Sequence, residues 1–232
     1  MNIVILAAGD FPTHPVPHKA LHEADFVVCC DSAFGAIKNG ELRIKNHVVI
    51  GDGDSLSDET KQWLGDRYIQ VDEQDYNDLH KAMAWIMAEV EGRKYEAQGV
   101  ADNSDLRPPT SDLKITILGA TGKREDHTLG NISYLVTFAE EYPGINIEML
   151  TDHGRFVALH GTHTFPSFPK QQVSMFVLDP TTTLTSSGLR WPLLDFHPRT
   201  WWQASLNEAL EDTFTLTSTG WTILFQTYDP KR

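Results

Sequence analysis

Three polar clusters in the first 130 residues hold the side chains whose types and spacing could do chemistry. The first is Gly51-Asp52-Gly53-Asp54-Ser55, directly after the apolar run Val48-Val49-Ile50. Two carboxylates one residue apart, with glycines that let the backbone approach closely, suit a hard cation such as Mg2+. A turn leading to a helix capped by Ser55 or Ser57 explains the same residues equally well. The second cluster is Gln74-Asp75-Tyr76-Asn77-Asp78-Leu79-His80-Lys81. Asp78 and Lys81 would share the first turn of a helix and project from one face, where carboxylate and amine can hold a metal ion and a phosphate together. Taken alone, an ordinary helix start reads better, with Asp78 offsetting the dipole and Lys81 solvated. The third cluster, Gly119-Ala120-Thr121-Gly122-Lys123-Arg124-Glu125-Asp126-His127, follows the apolar run Ile115 to Leu118. Glycines, Lys123 and Arg124 at a helix N-terminus make an anion cradle. The glycine spacing is too short for a P-loop, and Arg124 stands where a metal-binding hydroxyl should be; no GxGxxG follows any strand either. A P-loop or a standard NAD site is disfavoured.

Each cluster alone is weak evidence, and their common placement gives them weight. Runs at Ile3 to Ala8, Phe26 to Cys30, Val48 to Ile50 and Ile115 to Leu118 are strand-length and rich in Val and Ile. Amphipathic helices are expected between them, at Asn77 to Val90 and from about Asp126 to Glu141. Such alternation predicts a parallel sheet flanked by helices, with ligands beyond the carboxyl ends of its strands. From about Gly144 the rhythm changes to short Thr-, Val- and Phe-rich segments at Phe156–His160, Thr162–Phe165, Val173–Leu178, Thr213–Thr217 and Trp221–Gln226. The fold class expected is an α/β N-terminal domain with a parallel sheet, residues 1–144, followed by an all-β sandwich-like C-terminal domain, residues 145–232. The stretch from Gln98 to Asp112 reads as a surface loop.

The chain has 232 residues, enough for a full core without staples. Its net charge is −13, from 32 acidic and 19 basic residues. A field of that sign repels nucleic acid and anionic membrane, so neither is an expected partner. It repels a nucleotide as well, so a nucleotide site here needs a cation or a local basic cluster. No apolar run approaches the ~20 residues of a membrane helix, and the N-terminus reads as a buried strand rather than a secretion leader. Cys29 and Cys30 are neighbours in an apolar run and read as core thiols, which points to the cytoplasm. Core packing is the default for Trp63, Trp85, Trp201, Trp202 and Trp221.

In order and spacing these elements resemble the thiamine pyrophosphokinase family from end to end. The residues that carry the likeness are Ala8-Gly9, Cys30-Asp31-Ser32-Ala33, Ile50 to Ser55, Gln74 to Ala82, Gly119 to His127, and Ser187-Gly188-Leu189-Arg190-Trp191-Pro192-Leu193. The resemblance implies an ATP:thiamine diphosphotransferase that gives thiamine diphosphate and AMP. Its nucleotide-binding catalytic domain would precede a β-sandwich domain, and two chains would form a homodimer with the active sites at their junction. It implies Asp52, Asp54 and Asp78 as Mg2+ ligands, Lys81 and Arg124 as catalytic phosphate contacts, and Asp31 and Ser32 beside Asp52 at the nucleotide. Gln74 and Asp126 would face the reacting groups, with Asp126 ahead of His127 to orient or deprotonate the hydroxyl. Asn77 and His127 would help to bind substrate, and Ser187, Trp191 and Asn207 would belong to the thiamine pocket. Another metal-dependent phosphotransferase or phosphohydrolase, or a non-catalytic thiamine- or nucleotide-binding protein, are the competing readings.

Overall fold

The near-continuous Val/Ile runs do become parallel strands buried on both faces, as parallel sheets require. The structure is a computed structural model in which residues 1–35, 46–92 and 112–230 are described; the expected loop at 98–112 lies outside them except for Asp112. Six parallel strands stand in the order β6-β5-β1-β2-β3-β4. They are β1 (Asn2–Leu6), β2 (Phe26–Cys30), β3 (His47–Gly51), β4 (Tyr68–Gln70), β5 (Lys114–Leu118) and β6 (Asn146–Leu150). Alternate residues feed two cores. Ile3, Ile5, Val28, Ile50, Ile115 and Ile117 face helices α3 (Asp78–Val90) and α4 (Glu125–Glu141) through Met83, Ile86, Leu135 and Phe138. Val4, Leu6, Val27, Cys29 and Val49 face α1 (Pro15–His22) and α2 (Asp58–Leu64) through Leu21 and Leu64. Cys29 and Cys30 therefore go to opposite cores as free thiols, and burial pushes both thiols up, which leaves them unreactive.

Beyond β6 the sheet changes direction without ending. β6 still runs parallel to β5, and the reversal comes at β7 (Gly154–Pro166), which pairs antiparallel with it. β8 (Gln171–Val177), β9 (Leu184–Ser187), β10 (Ala204–Glu208) and β11 (Thr213–Pro230) complete one eleven-stranded sheet. Segments that read as separate strands are joined in β7 and β11. The register break in β11 falls between Ser218 and Thr222, opposite Gly161 with φ +85°, so this glycine forms an irregularity inside a long ribbon rather than a strand end. β11 pairs first with β9 and then with β8. The antiparallel region thereby closes over its own core of Leu159, Val173, Met175, Leu184, Phe214, Leu216 and Leu224.

Most tryptophans are not core residues. Trp85 is fully buried, whereas Trp63, Trp201 and Trp202 are about half-exposed. The Arg67 guanidinium lies 4.5 Å over the Trp63 ring, a cation–π contact that covers an indole at the surface.

One carboxylate ties the parallel half to the antiparallel half. Buried Glu148 on β6 pairs with Lys114 of β5 at 2.8 Å and with Arg155 of β7 at 3.6 Å, and Arg155 also donates to Gln226 of β11 at 2.8 Å. Replacing Glu148 with Ala leaves two cations facing each other over an emptied site. The expected loss is about 2 kcal/mol, below the range for fully buried pairs because both cations keep some solvent. Urea unfolding of Glu148→Ala measures it.

Candidate active site

The chain order switches between β1 and β5, where a parallel sheet opens a crevice at its carboxyl edge. The loops after β1, β2, β3 and β5 line a cleft of about 410 Å³ there, together with the first turns of α3 and α4. Its floor depends on close backbone packing. The Gly9 N–H donates to the Gly119 carbonyl at 2.6 Å, and a Cβ at Gly9 would lie 2.2 Å from the Thr121 carbonyl oxygen. Lys123 Nζ donates to the Ala8 carbonyl at 2.7 Å, binding the two loops together.

On the other side of the cleft, Asn77 caps α3 by accepting the His80 N–H at 3.1 Å. The next residues place Asp78 and Lys81 side by side, with Nζ 3.7 Å from the carboxylate. Lys81 is only 3% exposed and donates to the Val71 carbonyl at 3.4 Å, so the solvated alternative does not hold. Burial, reinforced by the nearby charge of Asp31 and opposed by Lys81, pushes Asp78 up to about 6. Asp52 is turned the opposite way. It accepts the Asp54 N–H at 3.1 Å and the Gln74 side-chain amide at 3.4 Å, and these hydrogen bonds, the first foremost, hold its carboxyl below the usual range.

The glycines around Asp52 answer to Asp31. That carboxylate is 2% exposed, accepts the Gly53 N–H at 3.1 Å, and lies where a Cβ on Gly51 would fall 2.8 Å away. Asp31 braces the turn from beneath and does not line the cleft; its neighbour Ser32 does. Asp54 is exposed and also outside the lining, and the expected helix cap at Ser57 is present. Among the described residues no three acidic, histidine or cysteine side chains close into a metal cage.

Gln74, Asn77, Arg124 and His127 all line the cleft. Arg124 is exposed and gripped by Asp126 through two hydrogen bonds of 3.0 and 2.5 Å. That grip, with the His127 N–H, pulls Asp126 down to about 2, which makes it a weak proton acceptor and a firm anchor for the guanidinium. Tyr76, Thr121, Thr128 and Asn131 also line it, and of these Thr128 and Asn131 lie outside the clusters read from the sequence. Asn131 had a readable signal, since it stands in register with Leu135 and Phe138 on the buried stripe of α4.

Ser187, Trp191 and Asn207 are elsewhere. Ser187 is exposed at the end of β9, opposite Thr215. Trp191 is 51% exposed and borders a separate concavity of about 260 Å³ with Leu193, Leu206 and Asn207. Asn207 is buried and turned towards the backbone. It accepts from Trp191 N–H at 3.2 Å and Glu208 N–H at 2.9 Å, and it donates to the Trp191 carbonyl at 2.7 Å.

Asp78 gives the fold a pH signature. An unfolded aspartate titrates at about 3.9, so the stability linked to protonating Asp78 is complete below about 4 and lost as the pH rises through about 6. Asp78→Asn removes that loss. It should stabilise the metal-free fold at pH 7.5 by about 1 kcal/mol, less than the full shift implies because the group keeps some solvent, and by much less at pH 4. Melting curves at the two pH values check the sign.

Residues 17–149 match the family of thiamin pyrophosphokinase catalytic domains, and residues 154–225 match that of thiamin pyrophosphokinase substrate-binding domains. Thiamine pyrophosphokinase 3 of Oryza sativa subsp. japonica is 34% identical over 161 residues, covering 65% of this chain and 53% of that protein. Thiamine pyrophosphokinase 1 of Arabidopsis thaliana is 30% identical over 168 residues, covering 68% and 55%. The chain thus spans about half the length of the curated relatives it matches. The thiamin pyrophosphokinase from Candida albicans superposes with a TM-score of 0.77 at 19% identity, over 98% of this chain and 90% of that one. The enzyme from Bacillus subtilis does so with a TM-score of 0.70 at 20% identity, over 98% and 99%. These structures share the fold, and by its catalytic-domain match the chain belongs to the thiamin pyrophosphokinase family.

Proposed function

We propose that this chain transfers the pyrophosphoryl group of ATP to the hydroxyl of thiamine, releasing thiamine diphosphate and AMP. The observation that carries the reading is the cleft at the sheet's switch point, where Asp52, Asp78 and buried Lys81 face Lys123 and Arg124. The thiamine hydroxyl oxygen forms a bond to the β-phosphorus, the bond from that phosphorus to the α-phosphate oxygen breaks, and the hydroxyl proton is released. Such a transfer is governed by positioning and charge neutralisation. Mg2+ takes one or two carboxylates together with waters and substrate phosphates, a donor set that the lining carboxylates Asp52 and Asp78 would fit, with Asp54 outside the cleft, and it would offset charge developing on the phosphate oxygens. Lys81, fixed by burial, and Arg124, aimed by Asp126, hold the phosphates from opposite walls. Asp126 at about 2 suits this anchoring role better than that of a base. Gln74, Asn77 and His127, all in the lining, would flank the hydroxyl, and Ser32, with Asp31 bracing beneath, would lie on the nucleotide side.

Residues 1–144 would serve as the nucleotide-binding catalytic part, and residues 145–232 would supply the thiamine pocket and the dimer contact. The cleft and the Trp191 concavity share no lining residue, which favours an arrangement in which a second copy brings its Trp191 to this cleft. Half-exposed or better Trp191, Leu194, Trp201, Trp202 and Leu206 give that surface an apolar character suited to a homodimer. Asn207 would keep Trp191 in position, and Ser187 lies on the same region. Two buried free thiols fit the cytoplasm, and among the described residues no helix is long and apolar enough to cross a membrane.

Incubating the protein with ATP, Mg2+ and thiamine should yield AMP and thiamine diphosphate in equal amounts. Release of inorganic phosphate with thiamine untouched would instead mark a phosphohydrolase. Asp52→Ala should lower AMP release by about 100-fold or more at unchanged melting temperature. Trp191→Ala should raise the KM for thiamine roughly tenfold, the worth of an indole against the thiazolium cation when water is excluded.

A further inference from the structure

Asn131 is the one amide in the stripe Asn131, Leu135 and Phe138 through which α4 is buried. A buried amide needs its polar atoms met. Its Oδ1 accepts from Asn77 Nδ2 at 3.0 Å, and its Nδ2 donates to the Ala120 carbonyl at 2.8 Å. Asn77 in turn accepts the His80 N–H. Both ends of this chain are fixed, because a backbone carbonyl only accepts and a backbone N–H only donates. Neither amide can turn over without setting like groups against each other. The result is a one-way run of three hydrogen bonds from the first turn of α3 to the loop after β5.

The groups at its two ends are the two halves of the phosphate clamp. Asp78 and Lys81 directly follow Asn77, whereas Lys123 and Arg124 directly follow the loop that holds Ala120. The hydrogen bonds from Gly9, Asp10 and Lys123 fasten that same loop to β1, not to α3. We propose, resting on the transfer reaction above, that Asn131 is a positioning residue. It sets the Asp78–Lys81 pair against the Lys123–Arg124 loop, and acts through these elements rather than on the substrate. His80 of α3 also packs against Tyr134 and Phe138 of α4, with ring centroids 5.6 and 6.0 Å apart, so α3 keeps its contact with α4 when the amide is lost, and Asn131→Ala should fold.

The test is steady-state kinetics of AMP release with melting temperatures for the unmodified chain, Asn131→Ala, Asn131→Asp, Asn77→Ala and the double Asn77→Ala/Asn131→Ala variant. Misplacing one half of a clamp should lower kcat of Asn131→Ala about 10- to 100-fold, with each KM changed less than about threefold. Asn131→Asp keeps the shape but turns a carboxylate oxygen towards the Ala120 carbonyl, so its kcat should be no higher than that of the alanine variant. The double variant should be no slower than Asn77→Ala alone, because that change already breaks the link. A kcat for Asn131→Ala within twofold of the unmodified chain, at whatever melting temperature, would overturn the role. So would a loss confined to KM, the mark of direct substrate contact, or losses that multiply in the double variant. Absence of AMP from the unmodified chain would overturn the transfer reaction, and this role with it; turnover that Asn131→Ala leaves intact removes only the role of Asn131.

Discussion

Crowding Asp31, Asp52 and Asp78 near the buried ammonium of Lys81 is the constraint that the rest of the architecture serves. Carboxylates gathered in a half-buried space repel one another. The fold does not neutralise them; it divides their tasks. Asp31 is sunk beneath the turn on a backbone N–H, Asp52 is held ionised by the Asp54 amide, and Asp78 bears the strain. In the transfer proposed above, this negative charge would draw in a cation, and a phosphate chain would follow it into a protein whose overall field rejects it.

The scaffolding around the carboxylates follows from that need. Glycine occurs at positions 9, 51 and 53 because Thr121, Asp31 and Tyr68 occupy the space a Cβ would take. These contacts let four loops from one sheet edge converge without side chains between them. Lys81 can be desolvated because it rises from the first turn of a helix whose opposite side is packed into the core, and Asp78 sits beside it for the same reason. Arg124 has no such shelter, so its direction is set by Asp126 in place of burial.

The strands of the first half are legible in the sequence because burial on both faces leaves unbroken Val/Ile runs. β4 is not, since Tyr68-Ile69-Gln70 is three residues long with polar ends. β6 resembles a strand of the antiparallel half because Glu148 interrupts its apolar pattern, and only Lys114 and Arg155 on the neighbouring strands explain that carboxylate. Gly161 and Gly220 split β7 and β11 when read locally, although cross-strand pairing carries both strands through. At the site, clusters placed directly after strands could be found from the chain alone. The depth of Asp31 and Lys81 could not, nor could the grip of Asp126 on Arg124, because these depend on which loops meet in space. Asn207 shows the same limit: the family resemblance implies a place in the thiamine pocket, and the hydrogen bonds of its side chain to the Trp191 backbone appear only in the folded chain.

The unbroken hydrogen-bonded ladder from β4 to β10 also governs how the molecule can move. Two halves joined by a flexible connector could swing shut over a ligand, as hinged kinases do. Here β6 and β7 are adjacent rungs of one sheet, laced across by Glu148, so bending between the halves would have to tear backbone pairing. The Trp191 face is thus held at a set distance from the cleft at the sheet's switch point. Any closing around bound reactants falls to side chains and short loops.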